Sequence, residues 1–182
     1  KAVNLIKVEY EALPVITDVE EAIKPEAWPI HEGGNIVGTS RAEAGNVDEA
    51  FQECDYVFED RYTTQAIHHA AIEPHVAIAD FAPNGKLTVY SPCQNTFAFR
   101  VIMSRIFGLS YNRIRMVAPA IGGAFGGKLE VTVEPVAAVL SQMTGKPVKV
   151  EYNRKESILS TRVRHASVNY VKTGFMKDGT LK

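Results

Sequence analysis

Four glycines within six residues constrain this chain more than any other feature: Ile121-Gly122-Gly123-Ala124-Phe125-Gly126-Gly127-Lys128. The segment follows an expected strand, Arg113 to Ala118, and precedes an apolar run at helical spacing. It therefore reads as a strand-to-helix turn. Glycine permits backbone conformations closed to other residues and lets a ligand come against bare amides. Amides at such a turn can be aimed at an anion or an oxo group. The residues alone leave two readings open. One is a tight connection that packs helix on strand. The other is a nucleotide loop, because Gly122, Gly127 and Lys128 match G-x-x-x-x-G-K. Leu129 counts against the latter, since a P-loop uses Ser or Thr there to hold magnesium. Phe125 also fits poorly in a loop that wraps phosphates closely.

Around this loop the pattern is mixed. A strand is expected over residues 3–10, ending at Leu13-Pro14. Thr17 to Ala44 carries Pro25, Pro29 and Gly33-Gly34 with little periodicity, a long connection with short helical turns and Trp28 as its packing anchor. Asn46-Val47-Asp48-Glu49 opens a helix in capping-box fashion, with Val47, Ala50, Phe51 and Cys54 as its apolar stripe. Tyr56 to Thr63 is a strand. Val76 to Phe81 and Lys86 to Ser91 flank Pro83-Asn84-Gly85, a hairpin signal. Thr96 to Phe107 is a helix with Phe97, Val101, Ile102 and Ile106 inward and Gly108 at its end. A further helix is expected from Glu130 to Met143, with Pro135 near its first turn and Gly145 ending it. Pro147 to Tyr152 and Val168 to Phe175 are strands, and Asp178-Gly179 is a hairpin turn. The short returning arm, Thr180 to Lys182, and the start at Lys1 within the apolar stretch Ala2 to Tyr10 suggest a piece of a longer protein. The order is α+β, with no pure βαβ alternation and no internal repeat.

Composition narrows the function classes. With 20 Lys+Arg against 21 Asp+Glu the net charge is −1, a poor start for a nucleic-acid surface. No apolar run approaches the length that spans a bilayer, and no signal peptide is apparent. Cys54 and Cys93 form no C-x-x-C pair, which argues against a disulfide framework or thiolate zinc site and suits a cytoplasmic setting. His68, His69, Glu73 and His75 lack H-E-x-x-H spacing, so direct metal ligation is not expected of them. Arg154-Lys155 and Arg162 to His165 read as a solvated basic face, or secondly as a contact with a partner domain.

Several segments arrive in a familiar order. Val8-Glu9-Tyr10-Glu11-Ala12-Leu13-Pro14, Ile72-Glu73-Pro74-His75, Ser91-Pro92-Cys93-Gln94-Asn95, the glycine loop and Gly145-Lys146-Pro147-Val148 together resemble the molybdenum-binding subunit of the xanthine dehydrogenase and aldehyde oxidase family, the molybdenum hydroxylases. The resemblance runs over nearly the whole chain. It implies that residues 1–55 are the end of a small α/β-hammerhead-like upstream domain with its linker. Residues 56–182 would be the first part of a molybdopterin-binding domain with a mixed sheet and helices.

The same resemblance implies hydroxylation of an N-heterocycle or an aldehyde with oxygen from water, on a molybdenum–molybdopterin cofactor that in some members is a dinucleotide. It implies 2Fe-2S and FAD centres on partner domains or subunits, an oligomeric parent enzyme, and no nucleic-acid or membrane partner. By position, Gln94, Gly122, Gly123, Phe125, Gly126 and Gly127 would contact the cofactor. Gln94 and Phe125 would lie near the molybdenum without ligating it, with the Phe125 and Gly126 amides facing it. Phe125 and Leu129 would face the substrate. Leu129 stands where xanthine-oxidising members carry a purine-binding glutamate, with Glu130 displaced onto a helix and pointing elsewhere. Glu73 and His75 would form a buried hydrogen-bonded pair. No catalytic residue is expected within these 182 residues, because the family's glutamate base lies downstream, so the segment alone should be inactive. The alternative from another class is a non-catalytic homologue that kept the fold without the cofactor.

Overall fold

The computed structural model describes residues 3–182; Lys1 and Ala2, part of the apolar opening, lie outside the described residues. In chain order the elements are a 3-10 turn at Val3–Leu5, α1 (Val19–Ala22), α2 (Val47–Gln52), β1 (Tyr56–Thr64), β2 (Val76–Phe81), β3 (Leu87–Tyr90), α3 (Thr96–Phe107), a 3-10 turn at Tyr111–Arg113, β4 (Ile114–Val117), α4 (Glu134–Thr144), β5 (Val148–Glu151), α5 (Arg154–Ser160) and β6 (Ser167–Phe175). The mixed α+β class is the one the sequence implies. The elements gather into two units, one of residues 66–165 and one of residues up to 65 together with 166–182.

The unit of residues 66–165 is built on a four-stranded sheet of order β4-β3-β2-β5. The Pro83-Asn84-Gly85 turn forms as expected: Gly85 takes φ +79° and Asn84 Oδ1 accepts from the Lys86 amide at 3.1 Å. It joins β2 and β3 antiparallel, whereas β3 and β4 are parallel. A parallel neighbour needs a crossover, and α3 supplies it. The core holds Ala77, Ala79, Leu87, Val89, Met103, Ile114, Val133, Ala137 and Ala138. The small residues of β2 and α4 let that helix lie close on the sheet. Ser141, fully buried there, accepts from the Phe81 amide and donates to the Lys146 carbonyl, both at 2.8 Å. A hydroxyl in the core is thereby satisfied on both sides.

Helix α3 keeps its expected ends, capped by Asn95 and by Gly108 at φ +63°. Its inward face differs from expectation. Phe99 and Met103 are buried, while Phe97 is 73% exposed and Ile106 50%. The segment is apolar on almost every side, so periodicity alone could not set the phase; packing against β4 does. Helix α4 begins at Glu134, four residues later than expected, and Pro135 falls in its first turn, where no amide donor is lost. Helix α5 was not expected, because its charged residues read as a solvated face. Its start signal is a capping box: Asn153 Oδ1 accepts from the Glu156 amide at 2.9 Å and Glu156 Oε2 from the Asn153 amide at 2.8 Å.

In the other unit β1 and β6 pair antiparallel from Tyr56↔Phe175 to Thr64↔Ser167. Helix α2, capped by Asn46, lies against Gly174 of β6, where an added Cβ would collide with Cys54 Sγ and press on Phe51. The strand expected over 3–10 is absent: a turn at Val3–Leu5 is followed by exposed, irregular chain. No neighbouring strand pairs with it among the described residues, and unpaired backbone gains nothing from the extended form. Trp28 is 56% exposed and does not anchor its connection. Asn35 does: Nδ2 donates to the Ala22 and Trp28 carbonyls, and Oδ1 accepts from the Ile30 amide, at 2.7–3.0 Å. Asn35→Ala should therefore cost about 1–2 kcal/mol and raise hydrogen exchange at Ile30; unchanged exchange there would assign the connection another anchor.

Candidate functional site

Three irregular segments of the 66–165 unit meet beside the sheet: 68–75, 91–95 and 121–128. The only two non-glycine residues with positive φ among those described lie in them, Ala70 at +48° and Phe125 at +53°. Such strain persists only where the surroundings impose it, and it gathers at functional sites.

Glu73 secures both ends of the glycine loop. Its amide donates to the Gly122 carbonyl at 3.1 Å, and its Oε2 accepts from the Gly122 amide at 3.0 Å and from Lys128 Nζ at 2.5 Å. Approach is so close that a Cβ on Gly122 would lie 2.6 Å from Glu73 Cβ. The Lys128 side chain is 4% exposed and turned inward. A P-loop lysine must reach phosphates and its helix must start at the loop. Here the lysine is committed to Glu73 and the helix starts six residues later, at Glu134.

Gln94 holds the middle of the loop. Its amide donates to the Lys128 carbonyl at 3.0 Å, and its Oε1 accepts from the Gly126 and Lys128 amides at 3.1 and 3.2 Å. Two converging N–H donors identify that atom as oxygen, which leaves the NH2 of exposed Gln94 without a protein partner among the described residues. The Gly126 amide is thus taken by Gln94. The amides of Gly123, Ala124 and Phe125 donate to no protein group among the described residues. Phe125 is 75% exposed at the loop tip. Leu129, half exposed, borders an open cleft of about 800 Å³ with Gly126, Thr132, Leu159 and Arg162. Glu130, expected on a helix, lies in the connection before α4 and pairs with Arg162 at 2.5 Å.

Glu73 and His75 do not pair with each other. Their partners separate them: Glu73 is drawn to Lys128, and His75 to the Gly127 carbonyl and Ser157. Buried His75 donates from Nε2 to the Gly127 carbonyl at 2.9 Å, and its Nδ1 meets Ser157 Oγ at 3.1 Å. His68 Nδ1 accepts from the Ala70 amide at 2.9 Å, and its Nε2 meets Thr161 Oγ1 at 3.0 Å. His69 packs on the loop itself: a Cβ on Gly127 would lie 3.0 Å from its Nδ1. Among the described residues no three His, Cys, Asp or Glu side chains converge as a metal site. Sequence reasoning missed the bracing by Glu73 and Lys128, which lie 55 residues apart. The one available signal was opposite charge in two segments already singled out. It also missed Glu134, whose buried carboxylate accepts from Ser91 Oγ at 2.5 Å and the Thr132 amide at 2.7 Å.

Cys93, next to Gln94, is 3% exposed, and burial, helped by the Glu134 charge, pushes its thiol above the ordinary range. The thiolate is the reactive form. Alkylation of Cys93 by iodoacetamide at pH 8 should therefore run at least about tenfold slower than in urea, read by peptide mass spectrometry. Equal rates would mean that the thiol is open to solvent.

A mixed sheet thus carries a glycine loop braced by Gln94 and Glu73. The family pattern described as a molybdopterin cofactor-binding domain matches residues 30–182. The chain belongs to this family, in the xanthine dehydrogenase and aldehyde oxidoreductase group. It is 37% identical to the xanthine dehydrogenase molybdenum-binding subunit of Escherichia coli O157:H7, over all of this chain and 24% of that protein. It is 36% identical to the nicotinate dehydrogenase large molybdopterin subunit of Eubacterium barkeri, over all of this chain and 43% of that protein. The aldehyde oxidoreductase of Desulfovibrio gigas superposes with a TM-score of 0.86 at 29% identity, over 96% of this chain and 20% of that one. The chain thus spans about a quarter of the E. coli subunit. Among the described residues no helix is long and apolar enough to cross a membrane.

Proposed function

We propose that this chain supplies the glycine-loop face of the cofactor site in a molybdenum hydroxylase, an enzyme that oxidises an N-heterocycle or an aldehyde with oxygen drawn from water. One observation carries the proposal: three successive amides, Gly123 to Phe125, have no protein partner among the described residues, and nor does the NH2 of Gln94, whose Oε1 holds the same loop. These donors fit a cofactor that presents oxo and ring acceptors, because they bind charge without adding any and are held in place beforehand.

Gln94, Gly122, Gly123, Phe125, Gly126 and Gly127 would hold molybdenum–molybdopterin, with Gln94 and Phe125 beside the metal and not bonded to it. When bound, that group supplies two-electron chemistry and activation of water. The chain's own part is to bind and orient. Gln94 keeps its carbonyl on the loop and offers its NH2, and the loop amides take acceptors.

Phe125 and Leu129 face the substrate. Leu129 offers no carboxylate to the N–H groups of a purine, which favours an aldehyde or a less polar heterocycle. Residues 1–55 would close an upstream domain and residues 56–182 begin the molybdopterin domain. Iron–sulfur and flavin centres on partner domains or subunits would take the electrons in a cytoplasmic, oligomeric enzyme, and the catalytic base would come from outside this segment, leaving it inactive alone.

Molybdenum and pterin content of the whole protein, purified from a host that makes molybdopterin, tests the proposal. About one of each per chain is expected. Neither would favour a homologue that kept the fold without the cofactor, and magnesium-dependent ATP binding would favour a nucleotide site.

A further inference from the structure

Apart from the residues that would touch a cofactor, one side chain reaches both ends of the glycine loop. Glu73 Oε2 takes the Gly122 amide at 3.0 Å at the loop's start and Lys128 Nζ at 2.5 Å at its end. Lys128 is in turn the residue whose backbone meets Gln94 twice, through its carbonyl at 3.0 Å and its amide at 3.2 Å. The loop is thus a ring closed by one carboxylate oxygen, and the orientation of the Gln94 amide depends on where that ring closes.

A buried ion pair is a weak source of net stability, since desolvation offsets the attraction. Lys128 nevertheless lies almost wholly inside, 4% exposed against 29% for Glu73. A lysine spent in this way fits a part in geometry better than one in stability. We propose that Glu73 and Lys128 are positioning residues: their ion pair sets the shape of the glycine loop and, through Lys128, the direction of the Gln94 NH2. They are not among the residues proposed above to contact cofactor or substrate. The consequence for cofactor retention rests on the function proposed above; the consequence for loop shape does not.

A set of three variants of the whole protein separates positioning from stability. Glu73→Gln leaves the Lys128 ammonium buried without its counter-charge and should lower Tm. Lys128→Met leaves Glu73 free to keep the Gly122 amide. The double variant E73Q/K128M removes both charges and should regain most of the lost Tm. If the pair positions the loop, the double variant still exchanges the Gly126 and Lys128 amides about tenfold faster than wild type, and molybdenum and pterin content falls about tenfold, as for a residue that orients a metal site's contacts.

Restored Tm with wild-type exchange at those amides would overturn the inference and leave the pair a structural contact. Faster exchange with no cofactor in the wild-type protein would uphold the inference while sinking the proposed function. Failure of the double variant to regain Tm would also count against it, because the pair would then act mainly through stability.

Discussion

Gly122→Ala is expected to be among the most damaging single-methyl changes in this chain. The new Cβ would lie 2.6 Å from Glu73 Cβ, the least mobile part of that side chain, and 3.4 Å from its carboxyl carbon. No rotamer of Glu73 removes its own Cβ, so backbone must move. Either residue 122 withdraws and breaks the reciprocal bonds to Glu73 at 3.0 and 3.1 Å, or segment 72–75 shifts and pulls His75 from the Gly127 carbonyl. Forced overpacking of this kind costs about 1–3 kcal/mol, and each broken bond in a half-buried setting adds about 1 kcal/mol. The expected result is a loss of about 3 kcal/mol in denaturant unfolding, with molybdenum and pterin content down at least about tenfold. Gly33→Ala, where nothing lies within 4 Å of the new methyl, is the matched control and should leave cofactor content unchanged. A Gly122→Ala protein with wild-type stability and content would mean that the close approach to Glu73 is not maintained in solution.

The contrast between that glycine and the rest of the loop shows what a single sequence can and cannot carry. Local signals were legible: Asn84-Gly85, Gly108 and Gly145 mark the turn and helix ends where the structure has them. The four loop glycines marked the site, but the reason for Gly122 is a neighbour 49 residues away in sequence. Pairing of Glu73 with Lys128 and not His75 is likewise a tertiary choice. Glu73 had two candidate partners by proximity of motif, and the buried ammonium presents the stronger demand. The phase of α3 failed for the opposite reason: Phe97, Phe99, Val101, Ile102, Met103 and Ile106 offer too many apolar faces, and only contact with β4 selects Phe99 and Met103. Helix α5 was missed where charge was weighed before capping. Asn153 and Glu156 carried the start signal in plain form.

Loss of the Glu134 carboxylate should be as costly as the glycine change, through a different mechanism. Glu134 is 3% exposed and ties the end of β3 to the start of α4: its Oε1 accepts from Ser91 Oγ after β3, and its Oε2 from the Thr132 amide before α4. It also sits in the first turn of α4, where a negative charge meets the positive end of the helix dipole. Glu134→Ala would strand the Ser91 hydroxyl and the Thr132 amide in a dry setting, each bond to a charged acceptor being worth about 1.5–3 kcal/mol. A loss of about 3–4 kcal/mol is expected, reported by denaturant unfolding of the whole protein. Glu134→Gln keeps one carbonyl acceptor and should lose about half as much. The same pair of variants reads the electrostatics of Cys93. The Glu134 charge adds to burial in holding that thiol up, so removing the charge while keeping the shape in Glu134→Gln should lower the thiol's pKa. Folding favours the protonated thiol, and stability from this source is present at low pH and declines as pH rises past the thiol's ordinary range. In Glu134→Gln that decline should be shallower and alkylation of Cys93 at pH 8 faster than in the parent. An alkylation rate unmoved by Glu134→Gln would show that burial alone governs the thiol, and a stability change under about 1 kcal/mol in Glu134→Ala would show that Ser91 and Thr132 find other partners.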